Sequence, residues 1–165
     1  MDHTSYPIKN EGIGRLNDNR QKTSINFQGD LTGIVIDDNE EIVELFSKCL
    51  EIKGIKILGK GYDGNDAVEL FRQVRPDLVF LDIMMPKYDG FYALEKIRGI
   101  DPHAKILMVT ADLTSETADR LKGLPSTAVV YKPFDFDVLL EAINMLMNSS
   151  VVNNIAFEGS TVSLY

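Results

Sequence analysis

A chain of 165 residues makes one ordinary domain with some surplus, since domains cluster near ~100–150 residues. A hydrophobic fraction of 44% is enough for a packed core and excludes wholesale disorder. The 17 basic residues against 25 acidic ones give a net charge of −8, which repels phosphate backbones and anionic lipid and argues against nucleic-acid or membrane-surface binding.

Residues 1–30 are polar and aperiodic with balanced charges, and they predict a flexible extension rather than a transit peptide. The apolar, β-branched run Gly33-Ile34-Val35-Ile36 predicts a first strand buried on both faces. A helix follows, with Ile42, Phe46, Cys49 and Leu50 on its inner face and a capping-box pair in Asp38 and Glu41. Further strands are expected at Ile55–Gly59, Leu78–Leu81, Ile106–Val109 and Ala128–Tyr131. Helices are expected at about 65–74, after Gly90, at 114–122 and through Val138–Leu146. Residues 149–165 are expected to form a loose tail, with an added edge strand at Val151–Val152 or Ile155–Phe157 as the less favoured option.

Five strands alternating with five helices require right-handed crossovers, hence a doubly wound α/β domain with a five-stranded parallel sheet over residues 31–148. Ligands in such folds sit beyond the carboxyl ends of the strands, at a switch point of the strand order. There the chain carries Asp37-Asp38, Asp82, Thr110 and Tyr131-Lys132-Pro133. Three carboxylates in one cleft repel one another unless a cation intervenes. Their hard oxygens, with no His or Cys nearby, point to Mg²⁺. A lysine and a metal beside a carboxylate suit phosphoryl transfer, in which a carboxylate acts as nucleophile and becomes an acyl phosphate. Asp82, alone at the end of the third strand, is the expected acceptor. Asp37 and Asp38 are better placed to hold metal, and Thr110 to donate a hydrogen bond to a phosphoryl oxygen.

The segments Asp37-Asp38, Asp82-Ile83-Met84-Met85-Pro86-Lys87-Tyr88-Asp89-Gly90, Thr110-Ala111 and Lys132-Pro133-Phe134 resemble, in order and spacing, the receiver domain of two-component response regulators, which has a flavodoxin-like fold. The resemblance covers residues 31–148. It implies that Asp82 takes a phosphoryl group from a phosphohistidine on a histidine kinase or histidine phosphotransfer protein. It further implies that Asp38, Asp82 and the backbone carbonyl of Met84 ligate Mg²⁺, with Asp37 acting through bound water. Lys132 would pair with the phosphoaspartate, and Thr110 and Tyr131 would act as the switch for a downstream protein effector on the fourth helix, fifth strand and fifth helix. The bond before Pro133 is usually cis in this family. Met84 is apolar and unable to orient an attacking water, so the acyl phosphate is expected to be long-lived.

Other readings fit less well. A phosphatase of the haloacid dehalogenase type needs a second Asp where Met84 stands. A flavodoxin-like electron carrier needs a phosphate-cradling loop where Asp37-Asp38-Asn39-Glu40 would repel phosphate. A degenerate receiver serving as a constitutive binding module ranks second, because every site residue is present. Asp89 reads as turn and cap chemistry, Cys49 as core, and neither His3 nor His103 receives a role. The single cysteine excludes an internal disulfide, and no apolar run approaches the ~18 residues of a membrane span. The expectation is a cytoplasmic, stand-alone phosphoacceptor rather than a turnover enzyme.

Overall fold

The computed structural model describes residues 25, 27, 31–112, 114–121, 124 and 127–148, and the backbone of 155–158 and 161–164. Strands β1 (Leu31–Ile36), β2 (Ile55–Gly61), β3 (Leu78–Asp82), β4 (Ile106–Thr110) and β5 (Thr127–Tyr131) alternate with five helices. These are α1 (Glu40–Ile52), α2 (Gly64–Val74), α3 (Gly90–Ile100), α4 (Ser115–Leu121) and α5 (Phe136–Asn148). β1 to β5 pair parallel, in the order β2-β1-β3-β4-β5. The expected five-stranded (βα)5 sheet is therefore present.

Every residue of β3, β4 and β5 is buried, as strands covered on both faces require. The covering helices divide cleanly. Val43 and Leu50 of α1 and Val138, Leu139 and Ile143 of α5 pack on one face with Phe80. Residues of α2, α3 and α4, from Ala67 and Phe71 to Ile97 and Leu121, pack on the other. On the first face Phe46 meets Phe80 edge-on at 5.5 Å, and Phe134 and Phe136 at 6.4 Å each. This geometry favours the ring quadrupoles.

Three features differ from the sequence reading. The buried residues of α1 are Val43, Ser47 and Leu50, with Phe46 and Cys49 half-buried and Ile42 39% exposed. The inner face is thus turned by about one residue, since Ile42 and Val43 are equally apolar and periodicity alone does not rank them. The N-cap of α1 is Asn39, whose side chain accepts from the amides of Glu41 and Ile42; Asp38 does not serve in that role. Finally, the tail is not loose throughout. β6 (Ile155–Glu158) and β7 (Thr161–Leu164) extend the sheet beyond β5.

β6 runs parallel to β5, with Ala128, Val129 and Val130 opposite Ile155, Ala156 and Phe157, and β7 returns antiparallel. The path β5-α5-β6 repeats the βαβ winding of the rest, which is the geometry a parallel neighbour demands. At the other terminus, Ile25 and Phe27 pack on the α1–α5 core, and the Phe27 amide donates to the Lys53 carbonyl at 2.7 Å. Packing therefore begins before residue 31. The rest of the expected extension, and Val151–Val152, lie outside the described residues.

Candidate active site at the carboxyl ends of the strands

The strand order reverses between β1 and β3, so the loops leaving these two strands diverge to opposite faces and open a crevice between them. Asp37 follows β1 and Asp82 ends β3. Each is only 6% exposed. Lys132, directly after β5, reaches across β4 to both: its Nζ lies 2.9 Å from Asp37 Oδ2 and 2.8 Å from Asp82 Oδ1. The peptide bond between Lys132 and Pro133 is cis, and the Lys132 amide donates to the Thr110 carbonyl at 2.7 Å.

The second oxygen of each acid is also engaged. Asp37 Oδ1 accepts from the Asn39 amide at 3.0 Å, and Asp82 Oδ2 accepts from the Met84 amide at 2.7 Å. Both carboxylates are thereby fixed in orientation. Burial pushes the Asp82 carboxyl above its ordinary pKa; Lys132 opposes this, while the charge of Asp37 adds to it. Burial by itself would lower Lys132. Its bonds to Asp37 and Asp82 outweigh that, so its pKa stands above the usual lysine value.

Thr110 is fully buried at the end of β4, opposite Tyr131 in the β4–β5 register. Its hydroxyl oxygen accepts from the Asp112 amide at 3.0 Å. Tyr131 is 5% exposed and belongs to the core on the α2–α4 face, so it is not a surface aromatic. Met84 is 62% exposed on the loop after β3. That loop is held at both ends: the Gly64 amide donates to the Tyr88 carbonyl at 2.7 Å, and the Gly90 amide to the Ile83 carbonyl at 3.0 Å. Asp89 caps α3 through the Tyr92 amide at 2.7 Å, as its turn-and-cap reading expects.

Two of the three acids therefore converge on one ammonium group, while Asp38 stays exposed at the rim. Among the described residues no three His, Cys, Asp or Glu side chains already stand in a ligating group. The donor chemistry nonetheless fits Mg²⁺: the carboxylates are hard oxygen donors, with no imidazole or thiolate among the described residues around them. Sequence reasoning missed the Asp112–Thr114–Thr117 cluster, whose spacing after Thr110 is a capping signal in its own right.

A family model described as "Response regulator receiver domain" matches residues 34–144. The chemotaxis protein CheY of Bacillus subtilis is 36% identical over 117 residues, covering 70% of this chain and 97% of that protein. Among solved structures, a response regulator receiver domain protein from Clostridium thermocellum superposes with a TM-score of 0.65 at 27% identity, over 72% of this chain and 94% of that one. The CheX–CheY–BeF3–Mg²⁺ complex from Borrelia burgdorferi shares the fold at a TM-score of 0.64 and 23% identity, over 72% and 90%. A model that spans most of the sheet, joined to a relative aligned along nearly its whole length, settles the lineage: this chain belongs to the response regulator receiver domain family.

Proposed function

We propose that this receiver is a phosphoacceptor of a two-component relay, with Asp82 as the acceptor. The observation that carries this reading is the buried Asp82 held by Lys132 at 2.8 Å beside a second buried acid. In the transfer, Asp82 attacks the phosphorus of a partner's phosphohistidine. The N–P bond breaks as the Asp82 O–P bond forms, and the imidazole leaves to take up a proton. Lys132 is already in place to neutralise charge that develops on the phosphoryl oxygens, so little reorganisation is needed. Asp38, Asp82 and the Met84 carbonyl, with Asp37 through water, are the groups that would hold Mg²⁺, which when bound supplies further neutralisation of that charge.

The new phosphoryl group adds about −1.5 to −2 charge units, by analogy with other phosphorylated side chains. Thr110 responds by hydrogen bonding to it, and Tyr131, its neighbour in register, reports the change to α4, β5 and α5. In this chain the outer edge of β5 is paired with β6. A downstream partner therefore meets helix surface rather than an open strand edge. The partner proteins act in the cytoplasm on this reading, in keeping with the absence of any helix among the described residues that is long and apolar enough to cross a membrane. A constitutive binding module is not favoured, because such a module has no need of the buried acids or the lysine that spans them.

The test is incubation of the full chain with acetyl phosphate and Mg²⁺. Intact mass should show one phosphate, mapped to Asp82 and absent from Asp82→Asn. A wild-type chain that takes up none, or an adduct elsewhere, removes the reading.

Helix α1 carries a docking stripe for the phosphodonor. Ile42, Leu45 and Ile52 are 39%, 66% and 80% exposed, and with Cys49 they follow helical spacing along the outer side of α1. Ile42 also lines a pocket of about 50 Å³ together with Asp37, Asp82 and Lys132. The stripe thus runs from the acceptor outward, as the face for an amphipathic helix bearing the phosphohistidine would. Leu45→Glu is expected to slow transfer from a histidine kinase at least about tenfold, corresponding to ~1.4 kcal/mol. Labelling by acetyl phosphate should stay at the wild-type rate, since Leu45 lies at the surface. Equal slowing with both donors would refute the docking role.

A further inference from the structure

We infer that Asp112 is the positioning residue that ties α4 to Thr110, so that movement of the Thr110 hydroxyl is delivered to the helix through this one side chain. The inference rests on the phosphoacceptor reading above and specifies how its signal leaves the site.

The geometry is a continuous chain of hydrogen bonds. The Asp112 amide donates to Thr110 Oγ1 at 3.0 Å. One oxygen of the Asp112 carboxylate accepts from the Thr114 amide at 2.9 Å, and the other from the Thr117 hydroxyl at 2.5 Å. Thr117 is the third residue of α4, within its first turn, and is 6% exposed. Its own amide donates to Thr114 Oγ1 at 3.3 Å. A single residue therefore holds the switch hydroxyl by its backbone and the first turn of the helix by its side chain.

The helix is built to respond to such a tether. It has seven residues, of which Thr117 and Leu121 are buried. At its far end the Arg120 guanidinium stacks over the Phe91 ring at 3.6 Å, a cation–π contact that anchors that end on α3. Between the helix and the loop Ile83–Asp89 lies an open cleft of about 590 Å³, lined by Met84, Asp112, Glu116 and Arg120 among others. One wall is bonded to Asp82 through the Met84 amide. The other is bonded to Thr110 through Asp112. Because the first turn of α4 is bonded to Thr110 through Asp112, Thr110 turning toward a phosphoryl group either draws Asp112 and that turn with it or breaks the chain. Either result changes the helix.

The experiment compares the full-length wild type, Asp112→Ala, Thr117→Val and Thr117→Ser, with and without acetyl phosphate and Mg²⁺. Intact mass scores the adduct, and amide hydrogen exchange scores the peptide spanning residues 111–121. In the wild type, phosphorylation is expected to change exchange there by at least about fivefold, the low end of ordinary coupling energies. In Asp112→Ala and Thr117→Val the adduct should still form while the exchange ratio falls to near one. Thr117→Ser, which restores the hydroxyl, should recover it. A merely structural cap would instead raise exchange equally in both states and keep the wild-type ratio, which overturns the inference. Loss of the adduct in Asp112→Ala also overturns it, by assigning the residue to the chemistry. A wild-type chain without adduct overturns the phosphoacceptor reading and this inference with it. Should Asp112→Ala fail to fold, Thr117→Val decides alone, since it removes one hydroxyl and keeps the side-chain shape.

Discussion

Lys132→Met is expected to destabilise the protein by roughly 2–3 kcal/mol, somewhat below the cost of breaking a fully buried ion pair because the lysine side chain is 27% exposed. Removal of the ammonium leaves Asp37 and Asp82, each 6% exposed, facing one another without a counter-charge. The pH dependence follows from the direction of the Asp82 shift. Burial already places its folded pKa above the ordinary aspartate value, with Lys132 restraining the rise. The folded chain therefore binds this proton more tightly than the unfolded one, and stability is lost as pH rises through that window. Without Lys132 the window extends upward. The deficit of the variant should be smallest at acid pH, where the extra proton is bound, and largest at neutral pH. Urea unfolding in metal-free buffer at both pH values measures it. The same variant should label with acetyl phosphate on the order of 10²-fold more slowly, the usual cost of one missing stabilising group at a developing charge. A variant as stable as wild type at neutral pH, or a deficit independent of pH, would contradict the bridging role.

The strand ends were the legible part of this molecule. A strand buried on both faces is a continuous apolar run, so the first polar residue after it marks the edge of the sheet. Asp37, Asp82, Thr110 and Lys132 could be assigned to one edge on that ground, and the structure places them there. What sequence did not carry was anything decided by competition between similar neighbours. Asp38 and Asn39 are both good capping residues, and only the chain's exit from β1 gives the role to Asn39. Ile42 and Val43 are both apolar, and the crossing of α1 over the sheet selects Val43. The hairpin of β6 and β7 was harder still. Its short segments have no strong local signal, and β6 exists as a strand because α5 returns the chain alongside an available β5 edge. The bond from Lys132 to two acids at once was likewise invisible, since contacts separated by 50 and 95 positions depend on the completed sheet.

Gly90→Ala is expected to damage fold and chemistry together, through contact with backbone rather than with a side chain. A methyl group on Gly90 would lie 2.8 Å from the Cα of Ile83 and closer still to the carbonyl oxygen of Asp82. Neither atom belongs to a flexible group that can swing aside. The loop between β3 and α3 has little freedom to retreat, because Tyr88 is bonded to the Gly64 amide and Asp89 caps α3. A methyl at Gly64 would itself come within 2.7 Å of the Tyr88 carbonyl, so the loop is pressed between two helix starts. Relief must therefore come from displacing the end of β3, and that displacement carries Asp82 away from Lys132. The cost should reach about 3 kcal/mol, the upper end of the overpacking range, since the clash is with main chain. Phosphate uptake from acetyl phosphate should fall by more than tenfold even at temperatures where the variant remains folded, because misplacement of a reacting atom by ~1 Å costs on the order of 10²-fold. Urea unfolding and intact-mass labelling of the same sample separate the two effects. A Gly90→Ala chain with wild-type stability would mean that the end of β3 yields freely. One that is destabilised yet labels at the wild-type rate would mean that the position of Asp82 does not depend on this close approach.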